Sequence, residues 1–342
     1  MAVRGVFGGS VGDTGTTSFL DQVTIEQTLA PARGLWRFLE KDPVESDLGR
    51  RRFRLRAGAA PGVLTAAEET YVYGYNAVIA REIHKVGRVP QERQPFAWEG
   101  AAAAATMLDL ITMTRGRRLN ELLAGPAQLH PHAAHLGAGR AHALLRLPPT
   151  WGMRRAHPLL RWLAIDGYGF QRSMSKADLM VGERAMPELA VRAHCAIFDQ
   201  GLGRLLWYHD CAAPDDLTAH IHAYPASRRA DLWSGVAFAA VYTGGADLDE
   251  LDQLAVYAGA DGFRQHLAQG AAFACAAWLT AGSLPVHAAE AAPILTGAPA
   301  EEAAAWTDAA LASLGHDPHT HDDFLTWRAQ TRRAWARRHR TD

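Results

Sequence analysis

An acid, an amide and a guanidinium group occur close together in the segment Phe198-Asp-Gln-Gly-Leu-Gly-Arg-Leu-Leu-Trp207. On a helix, Gln200 and Arg204 are four residues apart and share one face, with Asp199 beside them. If they face a cavity, these groups could bind a carboxylate or carbonyl of a substrate and move a proton. The alternative is structural: Asp199 caps a helix and Arg204 forms a local ion pair.

A second candidate is the segment Arg228-Arg-Ala-Asp-Leu-Trp-Ser-Gly235, which combines cations, an acid and an indole. In an apolar pocket, desolvation raises the pKa of a carboxyl group, so Asp231 could serve as a general acid. The π face of Trp233 could stack on a flat polyene or stabilise a developing carbocation. Alternatively, Asp231 forms a salt bridge within or between helices beneath a core tryptophan.

Glu99 is the one charged residue in an otherwise apolar stretch, residues 96–105. Burying a carboxylate is costly unless the group is paired or hydrogen-bonded. Glu99 is therefore either a functional acid or a packing residue that reaches an arginine such as Arg140 or Arg204.

The histidines and cysteines do not predict a metal site or a nucleophile. Both His-rich segments lack the helical HExxH spacing and contain proline; their histidines are His130, His132, His135, His316, His319 and His321. The cysteines form no CxxC pair and lie in apolar settings typical of buried thiols; they are Cys195, Cys211 and Cys275. Phosphate-binding and hydrolase motifs are also absent from the sequence. We therefore expect no metal and no cofactor.

The charge balance argues against nucleic acid as a partner. The 342 residues include 35 Lys and Arg and 36 Asp and Glu, for a net charge of -1, whereas duplex binding favours a basic excess. The dense basic run, residues 328–340, predicts a solvated last helix or a frayed tail. The sequence shows neither an apolar run of 18 residues nor a secretory signal, so we expect a cytoplasmic protein without a membrane span.

Glycines recur at intervals of 32 to 37 residues in helix-like segments. They fall at positions 100, 137, 169, 201, 235 and 270, and residues 232–240 match residues 267–275 at five of nine positions. Because glycine inside a helix costs about 1 kcal/mol relative to alanine, its recurrence predicts close approach of helices or of a ligand. The residues before the glycines are then expected around one cavity or groove; they are Glu99, Tyr168, Gln200, Ser234 and Gln269. The alternative is coincidence in a chain rich in glycine and alanine.

These patterns predict an all-α protein of tandem helix-pair repeats, arranged as an open α-solenoid or a closed α/α toroid. Helix boundaries are predicted from capping residues, with Asp247 and Asp261 each opening a helix. Residues 1–33, rich in Gly, Ser and Thr, are expected to be flexible. Hydrophobic residues make up 48% of the whole chain, which is enough for a buried core. Residues 34–342 are expected to form one domain that ends in a basic helix.

Five separated motifs resemble the DUF1702 family, over residues 45–315. Besides the two segments quoted above, these motifs are Phe96-Ala-Trp-Glu-Gly-Ala-Ala, Asp166-Gly-Tyr-Gly-Phe and His266-Leu-Ala-Gln-Gly-Ala-Ala-Phe273. The family comprises bacterial proteins of unassigned function, frequently encoded beside enediyne polyketide synthases. The resemblance implies a role in maturing a polyene into an enediyne-like product.

We therefore expect an enzyme that cyclises, isomerises or dehydrates a hydrophobic polyene by acid–base chemistry. Asp231, Glu99 and Asp199 are the candidate catalytic residues. The candidates for substrate binding are Gln200, Arg204, Trp233, Gln269, Asp166 and Tyr168. The alternative is a non-catalytic helical-repeat carrier or scaffold that binds a polyene or the polyketide synthase. An inward-facing acid in a closed cavity favours the enzyme, and an open groove with exposed aromatic residues favours the scaffold.

Overall fold

The computed structural model describes residues 36–340 except 52, 188, 190, 316 and 318, and in this part of the chain the secondary structure is entirely helical. The predicted flexible segment, residues 1–33, lies outside the described residues. The α-helices are α1 (Ala60–Ile79), α2 (Gln94–Ile111), α3 (Arg117–Ala124), α4 (Pro131–Leu145), α5 (Leu163–Ser175), α6 (Cys195–His209), α7 (Pro214–Ala223), α8 (Ala226–Thr243), α9 (Leu248–Ala260), α10 (Arg264–Thr280), α11 (Val286–Thr296), α12 (Ala300–Ala312) and α13 (His321–Arg338). The predicted all-α class is confirmed.

Seven of these helices pack side by side in chain order: α1, α2, α4, α5, α6, α8 and α10. They are buried on nearly every side, as in α2, where each residue from Pro95 to Asp109 is buried. The helices between them are amphipathic; α7 buries only Pro214, Leu217 and Ile221. A helix that is apolar all round belongs in an interior, whereas one with a single apolar stripe covers it.

The recurring glycines lie where neighbouring central helices touch through their backbones. A Cβ atom built on Gly137 would overlap the carbonyl oxygen of Glu99, and one on Gly235 would lie 2.8 Å from the amide nitrogen of Arg204. The other four repeat glycines meet a neighbouring helix backbone in the same way; they are Gly100, Gly169, Gly201 and Gly270. The predicted close helix–helix approach is therefore confirmed.

The predicted helix-pair unit is only partly present. An outer helix separates consecutive central helices at α3, α7 and α9. In the described parts of the connections from α4 to α5 and from α5 to α6, the helical structure consists of short turns at Leu160–Trp162, Asp178–Gly182 and Arg192–His194. The glycine spacing thus corresponds to one central helix per repeat, and not to a helix pair in every repeat. Asp247 caps α9 with a capping box, as predicted. Asp261 instead follows the end of α9, and α10 begins at Arg264.

The interpretation of the basic C-terminal run as a solvated helix is wrong for its first half. Helix α13 packs against α10 and α12. Its Trp327 ring stacks on Phe273 of α10, with 4.4 Å between ring centroids. Arg328 of α13 is also buried, and it forms an ion pair with Asp231 of α8.

The row of central helices curves, since helices distant in the row also meet. Helix α1 contacts α8, and α4 contacts α10. The rings of Phe96 on α2 and Tyr242 on α8 lie 5.2 Å apart. The inner faces of the central helices therefore meet in a shared interior. Among the described residues, none of the helices combines the length and the apolar character needed to cross a membrane.

Candidate functional site

Five charged side chains from five central helices meet in this interior, and we call them the central charged cluster. Arg140 on α4 binds Glu68 on α1 through two hydrogen bonds of 2.7 and 2.9 Å. The same guanidinium group lies 3.2 Å from Glu99 on α2. Arg204 on α6 binds Asp166 on α5 at 2.7 Å and lies 3.8 Å from Glu99. Glu99 is thus shared by two arginines whose shortest contacts go to other acids.

The charges in this cluster leave one carboxyl group in excess, since Arg140 and Arg204 face three acids. Burial raises the pKa of Glu99 above its usual range, and the nearby Arg204 and Arg140 lower that pKa by less. Burial also disfavours ionised Glu68, but the charge and hydrogen bonds of Arg140 outweigh it, so the pKa of Glu68 is lowered. Because a buried excess charge is costly, Glu99 is the carboxyl group of the three whose ionised form is least favoured.

Aromatic rings enclose the central charged cluster. The guanidinium carbon of Arg140 lies 3.4 Å from the ring centre of Tyr71, and that of Arg204 lies 5.1 Å from that of Phe238. Within the described part of the chain, the buried hydroxyl groups of Tyr71 and Tyr242 have no hydrogen-bond partner. Buried hydroxyl groups normally find a partner. The interior therefore combines an acid whose pKa is raised by burial with unsatisfied phenols.

A series of hydrogen bonds runs from the cluster across the remaining central helices, and we call it the polar series. Gln200 donates to Asp166 at 2.6 Å, Ser234 donates to Gln200 at 3.2 Å, and Gln269 donates to Ser234 at 2.9 Å. Arg332 on α13 donates to Gln269. Gln200, Ser234 and Gln269 each directly precede one of the repeat glycines. The structure therefore joins Gln200, Ser234 and Gln269 in a hydrogen-bonded chain rather than a ring of separate groups, and Glu99 adjoins this chain through Arg204, 3.8 Å away.

Asp199 lies outside this series although it adjoins Gln200 in sequence. It forms a buried two-point contact with Arg228, at 2.6 and 2.9 Å. Burial raises the pKa of Asp199 to about 6, in spite of the hydrogen bonds from Arg228. The predicted helix cap does not form, because α6 begins at Cys195 and Asp199 lies within it.

Asp231 and Trp233 are not brought together with Glu99. Asp231 is 17% exposed and binds Arg328 of α13 at 2.7 Å, which is the salt bridge named as the alternative. Trp233 is fully buried and donates its indole N–H to Asp261 at 2.9 Å. Tyr168 is also buried, with its ring 6.3 Å from that of Phe198. These three candidate residues therefore hold helices together in this structure.

Sequence reasoning missed Glu68, Tyr71 and Gln171. Gln171 accepts a hydrogen bond from Arg140 at 3.0 Å. A signal for Tyr71 and Glu68 does exist: Tyr71 lies three residues before Gly74, whose Cβ atom would overlap α2. This glycine marks a backbone contact between α1 and α2, but it lies 26 residues before Gly100 and so falls outside the spacing of 32 to 37 residues.

One group of side chains in the described residues has the composition and spacing of metal ligands: His209, Asp210 and His220. It lies at the end of α6 and on α7, apart from the His-rich segments considered above. His130, His132 and His135 are buried near the start of α4. His316 lies outside the described residues.

The fold and this site define an all-helical protein with a buried carboxyl–guanidinium centre. The chain belongs to the DUF1702 family, whose model, described as "Protein of unknown function (DUF1702)", matches residues 35–335. The match extends beyond the expected residues 45–315 and takes in most of α13. No curated protein and no solved structure matches the chain.

Proposed function

We propose that this protein catalyses acid–base chemistry on a hydrophobic polyene in natural-product biosynthesis, with Glu99 as the proton donor. The observation that carries the proposal is a third carboxyl group, 2% exposed, set between two arginines that other acids already pair. Burial raises the pKa of Glu99, and an acid whose pKa is raised toward neutral pH is suited to donate a proton.

The proposed reaction needs no redox partner. The O–H bond of Glu99 breaks, and the electron pair of a substrate double bond forms a new C–H bond with the proton. The substrate then carries a delocalised cation, and Arg140 and Arg204 stabilise the Glu99 carboxylate. Return of a proton from another carbon to Glu99 gives an isomer, or a cyclised product if a C–C bond has formed in between. For a dehydration, the proton goes to a hydroxyl oxygen, water leaves, and the resulting cation returns a proton from a neighbouring carbon to Glu99 as the new double bond forms.

The surroundings of Glu99 suit such a substrate. The rings of Tyr71, Phe170 and Phe238 lie against the guanidinium groups of Arg140 and Arg204, and such aromatic surroundings are compatible with a flat unsaturated chain. Asp166 and Gln200 fix the position of Arg204 and, through it, of Glu99. We further propose that the central helices close as an α/α toroid around this site rather than as an open α-solenoid, because α1 contacts α8 and α4 contacts α10.

The family's frequent occurrence beside enediyne polyketide synthases supports a polyene as the substrate class. The test is mass spectrometry of products from a host that makes the cognate synthase, with and without this protein. We expect a product of changed mass or retention time that disappears in Glu99→Gln. An unchanged product made in higher yield would contradict the enzyme and support the carrier or scaffold.

A further inference from the structure

A carboxylate between two imidazole groups lies at the junction of α6 and α7. His209 ends α6, Asp210 follows it, and His220 lies on α7. The Nδ1 atom of His209 is 2.7 Å from Oδ1 of Asp210, and the Nδ1 atom of His220 is 2.7 Å from Oδ2. The three potential ligand atoms all lie within 4.8 Å of one another. The cluster is separate from the central charged cluster, and this inference does not rest on the proposed function.

The carboxylate of this cluster is more deeply buried than its two imidazole groups. Asp210 has no exposed side-chain surface, whereas His209 and His220 are 13% and 16% exposed. Burial disfavours the ionised form of Asp210, but hydrogen bonds from His209 and His220 outweigh it and lower the pKa of this carboxyl group. Both oxygens of Asp210 are directed at imidazole nitrogens, while the imidazoles remain within reach of solvent.

Neighbouring residues hold the first histidine in place. The ring of Phe53 lies 5.4 Å from that of His209, and the backbone amide of Arg54 donates to the His209 carbonyl at 2.7 Å. The cluster thus joins three parts of the chain: the segment before α1, the end of α6, and α7. A ligand bound there would fasten these parts together.

We propose that His209, Asp210 and His220 bind one divalent transition-metal ion, with Zn²⁺ as the representative case. Two imidazole nitrogens and a carboxylate oxygen form a donor set that Zn²⁺ and related ions accept. Ligands about 2.0–2.2 Å from a tetrahedral Zn²⁺ ion lie about 3.4 Å apart, so the N–O separations of 2.7 Å here must lengthen when the ion takes the place of the two hydrogen bonds. On binding, each Nδ1 offers its lone pair and the imidazole proton moves to Nε2. Three protein ligands leave the solvent side of the ion for water.

The test uses the tag-free full-length chain, freed of metal by dialysis against a chelator. Zn²⁺ titration by calorimetry is expected to show one equivalent bound, and Zn²⁺ is expected to raise the Tm. Co²⁺ is the spectroscopic probe, and X-ray absorption of the Co²⁺-loaded wild type should detect two imidazole ligands. Both His209→Gln and His220→Gln should lower the affinity by about 10-fold or more. The matched control is His222→Gln, which changes a half-exposed histidine on the same helix.

Three results would overturn the proposal. The first is the absence of stoichiometric Zn²⁺ or Co²⁺ binding to the wild type. The second is equal loss of affinity in His220→Gln and His222→Gln. The third is a Co²⁺ site with fewer than two imidazole ligands in the wild type. This last measurement also decides the matter if circular dichroism shows that the His209 and His220 variants do not fold.

Discussion

Glu99 and Arg140 meet across the closest point of helices α2 and α4. Oε1 of Glu99 lies 3.2 Å from Nη1 of Arg140. One helical turn before Arg140, Gly137 has no side chain, and its position would place a Cβ atom 2.9 Å from the carbonyl carbon of Glu99. The missing side chain lets the two backbones touch. That approach brings the guanidinium group to the carboxyl group, so the glycine repeat and the charged cluster are parts of one arrangement.

Replacing the proton donor should remove activity without removing the fold. In Glu99→Gln the amide has nearly the same shape but no acidic proton, so turnover should fall about 100-fold or more. Product analysis by mass spectrometry measures this loss, and circular dichroism checks the fold. The matched control is Glu69→Gln, which changes an exposed glutamate on α1 and should leave turnover unchanged. Equal activity in the two variants would exclude Glu99 as the acid.

Filling the helix contact should destabilise the protein. The added methyl group in Gly137→Ala would overlap the Glu99 carbonyl oxygen, so we expect the free energy of unfolding to fall by about 1–3 kcal/mol or more. The control is Gly259→Ala in α9, where nothing lies within 4 Å of the added atom. That change should raise stability by about 0.5–1 kcal/mol. Denaturant unfolding compares the two variants, and the same sign of effect in both would refute the close contact.

The ion pair between Glu68 and Arg140 should make the free energy of unfolding depend on pH in the acid range. Because the pKa of Glu68 is lowered in the folded chain from its ordinary 4.5, its contribution is fully present above about pH 4.5 and is lost as pH falls through the folded pKa. At pH 7, Glu68→Gln should cost about 3–5 kcal/mol, since it leaves Arg140 without its closest partner. The difference from wild type should shrink in acid. A difference that stays constant from pH 7 to pH 3 would argue against the pair.

Replacing Asp231 should lower the stability of the fold and leave the reaction product unchanged. Removing its charge in Asp231→Asn weakens the contact with buried Arg328 and should lower the free energy of unfolding by about 1.5–3 kcal/mol. The product of the folded variant should be unchanged, because Asp231 does not touch the central charged cluster. Asp249→Asn, an exposed change in the first turn of α9, serves as the control. Loss of product from folded Asp231→Asn would restore Asp231 as a catalytic candidate.

Much of the fold follows from local sequence signals, but the choice of site residues depends on distant contacts. The glycine spacing predicts the helix contacts, and the apolar surroundings of Glu99 predict a buried acid that reaches Arg140 or Arg204; it reaches both. Glu68 and Glu69 look alike in sequence. Which of them faces inward is decided by Arg140, 72 positions further along the chain.

The structural role of Asp231 could not be separated from a catalytic one for the same reason. Its partner, Arg328, lies 97 positions away on a helix whose composition is typical of a solvated surface. The His209 and His220 pair likewise lacks a short motif, because α6 ends at His209 and the turn into α7 brings His220 back to it. In each case, packing between helices sets the environment that decides the chemistry.

The protonation state of Glu99 tests the central claim most directly, and it can be measured without knowing the substrate. Infrared difference spectra between wild type and Glu99→Gln at pH 7 report the carbonyl stretch of a protonated carboxyl group, which shifts in D₂O. We predict that this band is present in wild type and in Glu69→Gln, and is lost in Glu99→Gln. A carboxylate band in its place would show that Glu99 is ionised at neutral pH and would contradict its role as the proton donor.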